Sequence, residues 1–128
     1  MVTLDEVAEM ALRFPQTVED ERHGNRAWAV AGKAFAWDRR FSKADIKRYG
    51  DTTPPDGAIV ALRVADLHEK SSILAAEHGG VFTIPHFDGY AAVLVQLKAV
   101  HKRTFRGLLT DAWLACAPDA LAQEWVSR

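Results

Sequence analysis

Apolar residues near the start of the chain recur at helical spacing. Leu4, Val7 and Ala8 share a face that the next turn continues. Thr3 and Glu6 have the spacing of a capping box, in which each side chain bonds the backbone N–H of the other residue. These signals predict an N-terminal helix that ends by Pro15, whose ring cannot continue helical hydrogen bonding.

The pattern then changes to short runs with turn residues between them. Residues 18–23, 27–30 and 33–37 are separated by Gly24-Asn25 and Ala31-Gly32. This spacing is typical of antiparallel strands joined by tight turns. The side chains expected to face inward are Trp28, Val30, Phe35 and Trp37.

Polar and basic residues dominate the stretch from Arg39 to Gly57, which is also rich in turn residues. It therefore predicts a long excursion from the sheet, with a short helical turn at 43–49. A strand over 58–64 follows. Asp66 and Glu69 then form a second capping box, which opens a helix that runs to about His78.

The last third of the chain combines a hairpin signal with a long amphipathic pattern. Asp88-Gly89 lies between apolar runs at 81–84 and 90–98, and such a pair favours a tight hairpin turn. The second strand is expected to bury alternate residues, namely Ala91, Val93, Val95 and Leu97. Helical spacing from Phe105 to Cys116 predicts a helix that Pro118 ends, and one last turn carries Leu121 and Trp125.

The order of these elements predicts the fold class. Strands joined mainly by short turns, with helices to one side, indicate an α+β protein. We expect one domain over residues 1–128, with an antiparallel sheet of about five to six strands. Helices pack on one face of this sheet, and the chain has helices at both its N- and C-terminal ends.

Composition narrows the class of protein. Of the 128 residues, 48% are hydrophobic and 26% are charged, which is ordinary for a globular protein. Because no apolar stretch approaches the roughly 20 residues that a bilayer requires, and the N-terminus lacks signal-peptide character, we expect a cytoplasmic protein without membrane contact. The single cysteine, Cys116, excludes an intrachain disulfide and a thiolate zinc cluster. Its helical spacing favours a buried thiol over a nucleophile.

Three stretches resemble the MmcQ/YjbR-like family. They run from Phe14-Pro15 to Ala36, from Phe82 to Val95, and from Asp111 to Pro118. The most specific motif is Pro-His-Phe-Asp-Gly-Tyr at 85–90. The resemblance implies a CyaY-like fold, with an antiparallel sheet packed on helices. It also implies DNA binding through a double-wing arrangement of strands.

A basic cluster supplies the candidate nucleic-acid contacts. Its members are Arg39, Arg40, Lys43, Lys47 and Arg48. Phe41 and Tyr49 are interleaved with them, and aromatic rings among cations suit phosphates and stacked bases. A solvated loop and a site for an acidic protein partner are the alternatives. A net charge of −1 counts against DNA binding, because DNA-binding domains are usually basic. Lys102, Arg103 and Arg106 form a weaker second cluster.

His86, Asp88 and Tyr90 are the candidates for a ligand pocket, because an imidazole, a carboxylate and a phenol lie within a short segment. Turn formation and backbone hydrogen bonds explain the same residues without a ligand. The five histidines lack metal-ligand spacing, and no nucleophile elbow or phosphate-binding glycine loop is present. We therefore predict a DNA-binding protein without catalytic residues, metal or cofactor. It is expected to be a monomer or a weak dimer. The alternative is a module that binds a small molecule or a protein near the His86–Tyr90 hairpin.

Overall fold

Two tight turns with positive backbone dihedrals arrange the first half of the sheet. In the computed structural model, which describes residues 1–128, His23 and Gly24 have φ values of 52° and 78°. Ala31 and Gly32 have φ values of 51° and 77°. Such dihedrals match the twist of two-residue hairpin loops. The predicted meander is therefore confirmed, although its first turn lies one residue earlier than the Gly24-Asn25 pair.

Six strands form one antiparallel sheet, and five α-helices surround it. The strands are β1 (Thr17–Arg22), β2 (Asn25–Val30), β3 (Lys33–Asp38), β4 (Ile59–Arg63), β5 (Val81–Phe82) and β6 (Ala92–Gln96). Their order across the sheet is β1-β2-β3-β4-β6-β5. The helices are α1 (Leu4–Leu12), α2 (Lys43–Arg48), α3 (Leu67–Ala75), α4 (Lys102–Cys116) and α5 (Asp119–Val126). The predicted α+β class, with helices at both ends of the chain, is confirmed.

The first face of the sheet carries the main core. Trp28 and Phe35 are fully buried there, under α1, α4 and α5. Trp113 of α4 stacks on Phe14 with ring centroids 5.4 Å apart. Cys116 is 5% exposed and belongs to this core, as its helical spacing predicted. Burying such aromatic side chains supplies much of the hydrophobic stabilisation.

The second face of the sheet holds a smaller core that no long helix covers. Trp37, Ala61 and Leu94 belong to it, and the residues that pack at its edge include Phe41 and Tyr49 from the excursion between β3 and β4. Strands β4 and β6 are consequently buried on both faces. The predicted burial is correct for Val93, Val95 and Leu97 on the first face, whereas Ala91 is only partly buried. Ala92 and Leu94, which alternate with them in β6, are buried on the second face as well.

The predicted pairing of the two strands on either side of Asp88-Gly89 is confirmed, because β5 and β6 are antiparallel neighbours, but the predicted tight turn at this pair is wrong. Val81 of β5 pairs with Val95 of β6, so the connection is wide and contains a 3-10 helix at Pro85–Phe87. Gly89 has the positive φ, 73°, that a hairpin turn requires. Pro85 has no N–H for a ladder, however, and the Tyr90 N–H bonds locally to the Phe87 carbonyl at 3.0 Å. This local turn therefore takes the place of strand pairing only in the connection between β5 and β6.

Side-chain caps fix the helices around the sheet. The predicted Thr3–Glu6 box is present at the start of α1. At α3, Asp66 accepts from the Glu69 N–H at 2.8 Å, but the Glu69 carboxylate bonds the Ala65 N–H instead of completing the predicted box. This helix ends at Ala75, before the predicted His78.

Candidate functional site

Two arginine side chains lie over one tryptophan on the second face. The guanidinium carbons of Arg22 and Arg63 are 5.4 Å and 5.7 Å from the Trp37 ring centroid. The sheet register explains this arrangement, because Trp37 has Ala27 and Ala61 as its neighbours on β2 and β4. These small side chains leave space above the ring, which cations from the ends of β1 and β4 fill.

Neither Arg22 nor Arg63 forms an ion pair. Every other arginine that faces the sheet or α2 has a carboxylate within 4.0 Å; these are Arg26, Arg39, Arg40 and Arg48. Arg63 also lies 5.2 Å from the centroid of the Tyr90 ring. Because no carboxylate lies within 4.0 Å of either guanidinium, both groups keep N–H donors that can bind an oxyanion.

A cavity of about 350 Å³ opens beside this pair. Its cations are Arg22, Arg39 and Arg40, and its rings are Trp37, Phe87 and Tyr90. Asp38 is the only carboxylate in the lining, and it lies 3.7 Å from the Arg40 guanidinium. We call Arg22, Arg39, Arg40, Arg63, Trp37, Phe87 and Tyr90 the arginine-aromatic surface. Its chemistry favours an anion that carries an apolar or aromatic part.

The segment after β3 brings two residues of the predicted basic cluster to this surface. Arg39 lies 5.5 Å from the Phe87 ring centroid and pairs with Asp45 at 3.0 Å. Asp45 is buried in the cap of α2, where its carboxylate accepts from the Ser42 N–H at 2.9 Å. Although burial raises the pKa of Asp45, the Ser42 N–H and Arg39 hold it below its usual value. This ion pair fixes the direction in which Arg39 points.

The other three members of the predicted cluster lie on α2. Lys43, Lys47 and Arg48 are exposed to solvent. Arg48 is 3.7 Å from Asp45, whereas the two lysines have no carboxylate within 4.0 Å. The structure therefore divides the predicted cluster between the cavity and an adjacent convex helix.

The predicted pocket residues are also separated. Tyr90 is half-buried and lines the cavity, whereas His86 and Asp88 are exposed and do not. The hydrogen bonds of the 85–90 segment are made by its backbone. No three His, Cys, Asp or Glu side chains are grouped in a way that could hold a metal ion.

A buried lysine that the sequence pattern did not indicate holds this segment in place. Lys70 of α3 is 6% exposed, and its Nζ donates to the carbonyl oxygens of Phe87 at 2.6 Å and Tyr90 at 2.8 Å. Burial lowers the pKa of Lys70, while the charge of Asp88 acts in the opposite direction. Lys70 thus adds two hydrogen bonds to the backbone bonds that hold the segment carrying Phe87 and Tyr90.

A second cavity, of about 650 Å³, adjoins the first along the sheet. Alanines of β2 and β3 form its floor, and Arg22 and Arg63 lie at its wall together with the acidic residues Asp20 and Glu21. Cys116 also lines it. Burial raises the pKa of the Cys116 thiol, although Arg63 and Lys33 act against this. The thiol is therefore not activated as a nucleophile.

The weaker basic cluster lies on the first-face side. Lys102 pairs with Glu6 of α1, whereas Arg103 and Arg106 are exposed on α4. None of these residues lines either cavity described above.

None of the helices combines the length and apolar character needed to span a bilayer.

Comparison with known proteins finds relatives over the whole chain. The uncharacterized proteins Mb2600 of Mycobacterium bovis and MT2646 and Rv2570 of Mycobacterium tuberculosis are each 42% identical over 131 residues. The match covers 100% of this chain and 98% of each relative. The chain belongs to the family of these mycobacterial proteins. No family model and no solved structure matches it. Because the match spans the full length, every element that builds the arginine-aromatic surface lies within the region shared with this mycobacterial family.

Proposed function

We propose that this protein binds nucleic acid through the arginine-aromatic surface and performs no chemistry on it. The observation that supports this proposal is the convergence of cations from separate parts of the chain. Arg22, Arg63 and the Arg39-Arg40 pair meet around one group of aromatic rings, where Asp38 is the only carboxylate lining the cavity. Cations beside aromatic rings are the combination that contacts phosphates and bases together.

Helix α2 extends this basic surface. Lys43 and Lys47 are exposed and unpaired, so they can approach phosphates without first breaking an ion pair. Contacts of this kind are largely independent of base sequence. The proposed partner is therefore DNA, bound chiefly through its backbone, and the proposed location is the cytoplasm.

The test is a salt series with fluorescently labelled DNA and a triple variant, Arg40→Ala, Lys43→Ala and Lys47→Ala. Each phosphate contact contributes about −0.9 to the slope of log affinity against log salt for duplex DNA. Loss of three contacts should flatten the slope by about 2.7. Affinity for unrelated sequences should fall by similar factors. Arg39 is left intact because its ion pair with Asp45 supports α2.

The control variant is Arg103→Ala with Arg106→Ala, which removes exposed arginines from α4 on the first-face side. It should bind like the wild type. If the wild type retains neither duplex nor single-stranded DNA at low salt, where the attraction is strongest, the proposal is wrong. If both variants lose affinity equally, the contact is a general charge effect and the arginine-aromatic surface is not the interface.

A second candidate is a module for a small anionic molecule. It is favoured by the position of Tyr90, which lines a cavity of a size suited to a small ligand. A small anion carries few charges and releases no condensed counterions, so its affinity would fall less steeply with salt than that of DNA, and the same salt series distinguishes the two functions.

We also propose membership of the MmcQ/YjbR-like family for this chain and its mycobacterial relatives. The support comes from the order of the three matching stretches and from the antiparallel sheet packed on helices, which is the fold that the resemblance implies.

A further inference from the structure

We propose that the 350 Å³ cavity takes unpaired nucleotides, so that the protein binds single-stranded nucleic acid in preference to duplex. This inference rests on the proposed nucleic-acid binding and adds the form of the ligand. It concerns the recessed part of the arginine-aromatic surface, in contrast to the convex surface of α2.

The cavity has a recessed floor, although the Arg40 side chain that lines it is 77% exposed. Trp37, over which Arg22 and Arg63 stack, is 8% exposed and forms part of the sheet. The walls come from the chain after β3, which includes Arg39 and Arg40, and from the segment that carries Phe87 and Tyr90. A paired base within a duplex cannot enter such a recess, because its faces are stacked and its edge is occupied by its partner. An unpaired base can enter it.

The lining suits both parts of a nucleotide. Arg22 and Arg40 can donate to phosphate oxygens, and guanidinium groups do so with bidentate geometry. Asn25 and Ser42 also line the cavity, and their amide and hydroxyl groups can both donate to and accept from the edge of a base. The Tyr90 ring supplies an apolar wall. A cavity for phosphate alone would need neither the ring nor the amide.

The acidic residues nearby define the path of the strand. Asp38 is 6% exposed and paired with Arg40, so it presents little charge to a ligand. Asp20 and Glu21 line the neighbouring, larger cavity. Because these two carboxylates repel phosphates, the strand enters from the Arg39 side and ends near Arg22.

The experiment compares a labelled single strand of about 12 nucleotides with a duplex of the same sequence by fluorescence anisotropy. We expect the strand to bind about tenfold more tightly, because an unpaired base can stack on the rings of the cavity and a paired base cannot. Arg22→Ala combined with Arg63→Ala should weaken strand binding about tenfold and duplex binding less. Arg103→Ala with Arg106→Ala is the matched control, and thermal unfolding checks that each variant folds.

A fluorescent base analogue in the strand reports entry into the cavity. Its emission should change on binding to the wild type and to Tyr90→Phe, which keeps the ring, and much less with Tyr90→Ala. Equal or tighter binding of the duplex overturns the inference but leaves the proposed function standing. If the Arg22 and Arg63 double variant loses affinity for the single strand and for the duplex by the same factor, the inference is likewise overturned and the proposed function stands. Absence of binding to either form at low salt removes both proposals.

Discussion

Replacing Lys70 by Met should destabilise the fold and loosen one wall of the cavity. The ammonium of Lys70 donates to the Phe87 and Tyr90 carbonyls from a position that is 6% exposed. Methionine has a similar length and keeps the apolar packing, but it removes both donors. The change therefore isolates the contribution of the charged group.

The expected loss in free energy of unfolding is about 2 kcal/mol. Each hydrogen bond from a charged donor contributes about 1.5–3 kcal/mol, and the desolvation of the ammonium offsets a part of the sum. Both carbonyls also keep a backbone donor, because Tyr90 N bonds Phe87 O at 3.0 Å and Ala92 N bonds Tyr90 O at 2.8 Å. No buried acceptor is left without a partner, which limits the loss.

Urea unfolding at neutral pH measures this difference, and Lys43→Met on the exposed surface of α2 is the control, with a change below about 0.5 kcal/mol. Because burial lowers the pKa of Lys70, the unfolded chain binds more protons than the native protein between that pKa and 10.5. The stability of the wild type relative to Lys70→Met should then rise with pH in this alkaline range. Equal stability of Lys70→Met and the wild type at all pH values would refute the reasoning.

Three further changes test the backbone and the α2 anchor. Gly80→Ala should cost more than about 3 kcal/mol, because Gly80 has φ 83° and an added Cβ would lie 2.8 Å from the Val100 nitrogen. Gly89→Ala, at φ 73° with nothing within 4 Å of the added Cβ, should cost only about 1 kcal/mol. Equal melting temperatures for the Gly80→Ala and Gly89→Ala variants would contradict this difference. Asp45→Asn should cost about 3 kcal/mol at neutral pH. The pKa of Asp45 lies below 3.8, so the difference in free energy of unfolding between the wild type and Asp45→Asn should disappear as the pH falls through that lowered pKa. A difference that stays constant in acid would show that the charge of Asp45 is not responsible.

Local signals predicted the parts of the fold that depend on neighbours in sequence. The Thr3–Glu6 box and the Ala31-Gly32 turn are made by atoms within a few residues, so residue type alone identifies them. The Asp88-Gly89 pair misled because a second local signal, Pro85, competes with it. Residue type alone does not show whether the Asp88-Gly89 pair or Pro85 determines the local structure.

The arrangement of the site could be predicted only in part. The sequence places Arg39 and Arg40 in one candidate site and Tyr90 in another, and the structure brings all three residues to one cavity. Arg22 and Arg63 carried no such signal, because their approach to Trp37 depends on the register of strands distant in sequence. Lys70 was missed for a related reason, since its acceptors are carbonyl oxygens that any residue provides.

The net charge of −1 does not describe the surface that a ligand meets. On the first-face side, Arg26 pairs with Asp5 and Glu19, and Lys102 pairs with Glu6, so cations and carboxylates there largely neutralise one another. On the second face, Arg22 and Arg63 stack on rings instead and keep their donors. An electrostatic field at short range depends on unpaired charges, because paired ones act as dipoles whose field falls off more steeply and is further screened by salt. A chain whose net charge is close to zero can therefore still present a locally basic surface. For this reason the overall charge is a weak argument against nucleic-acid binding.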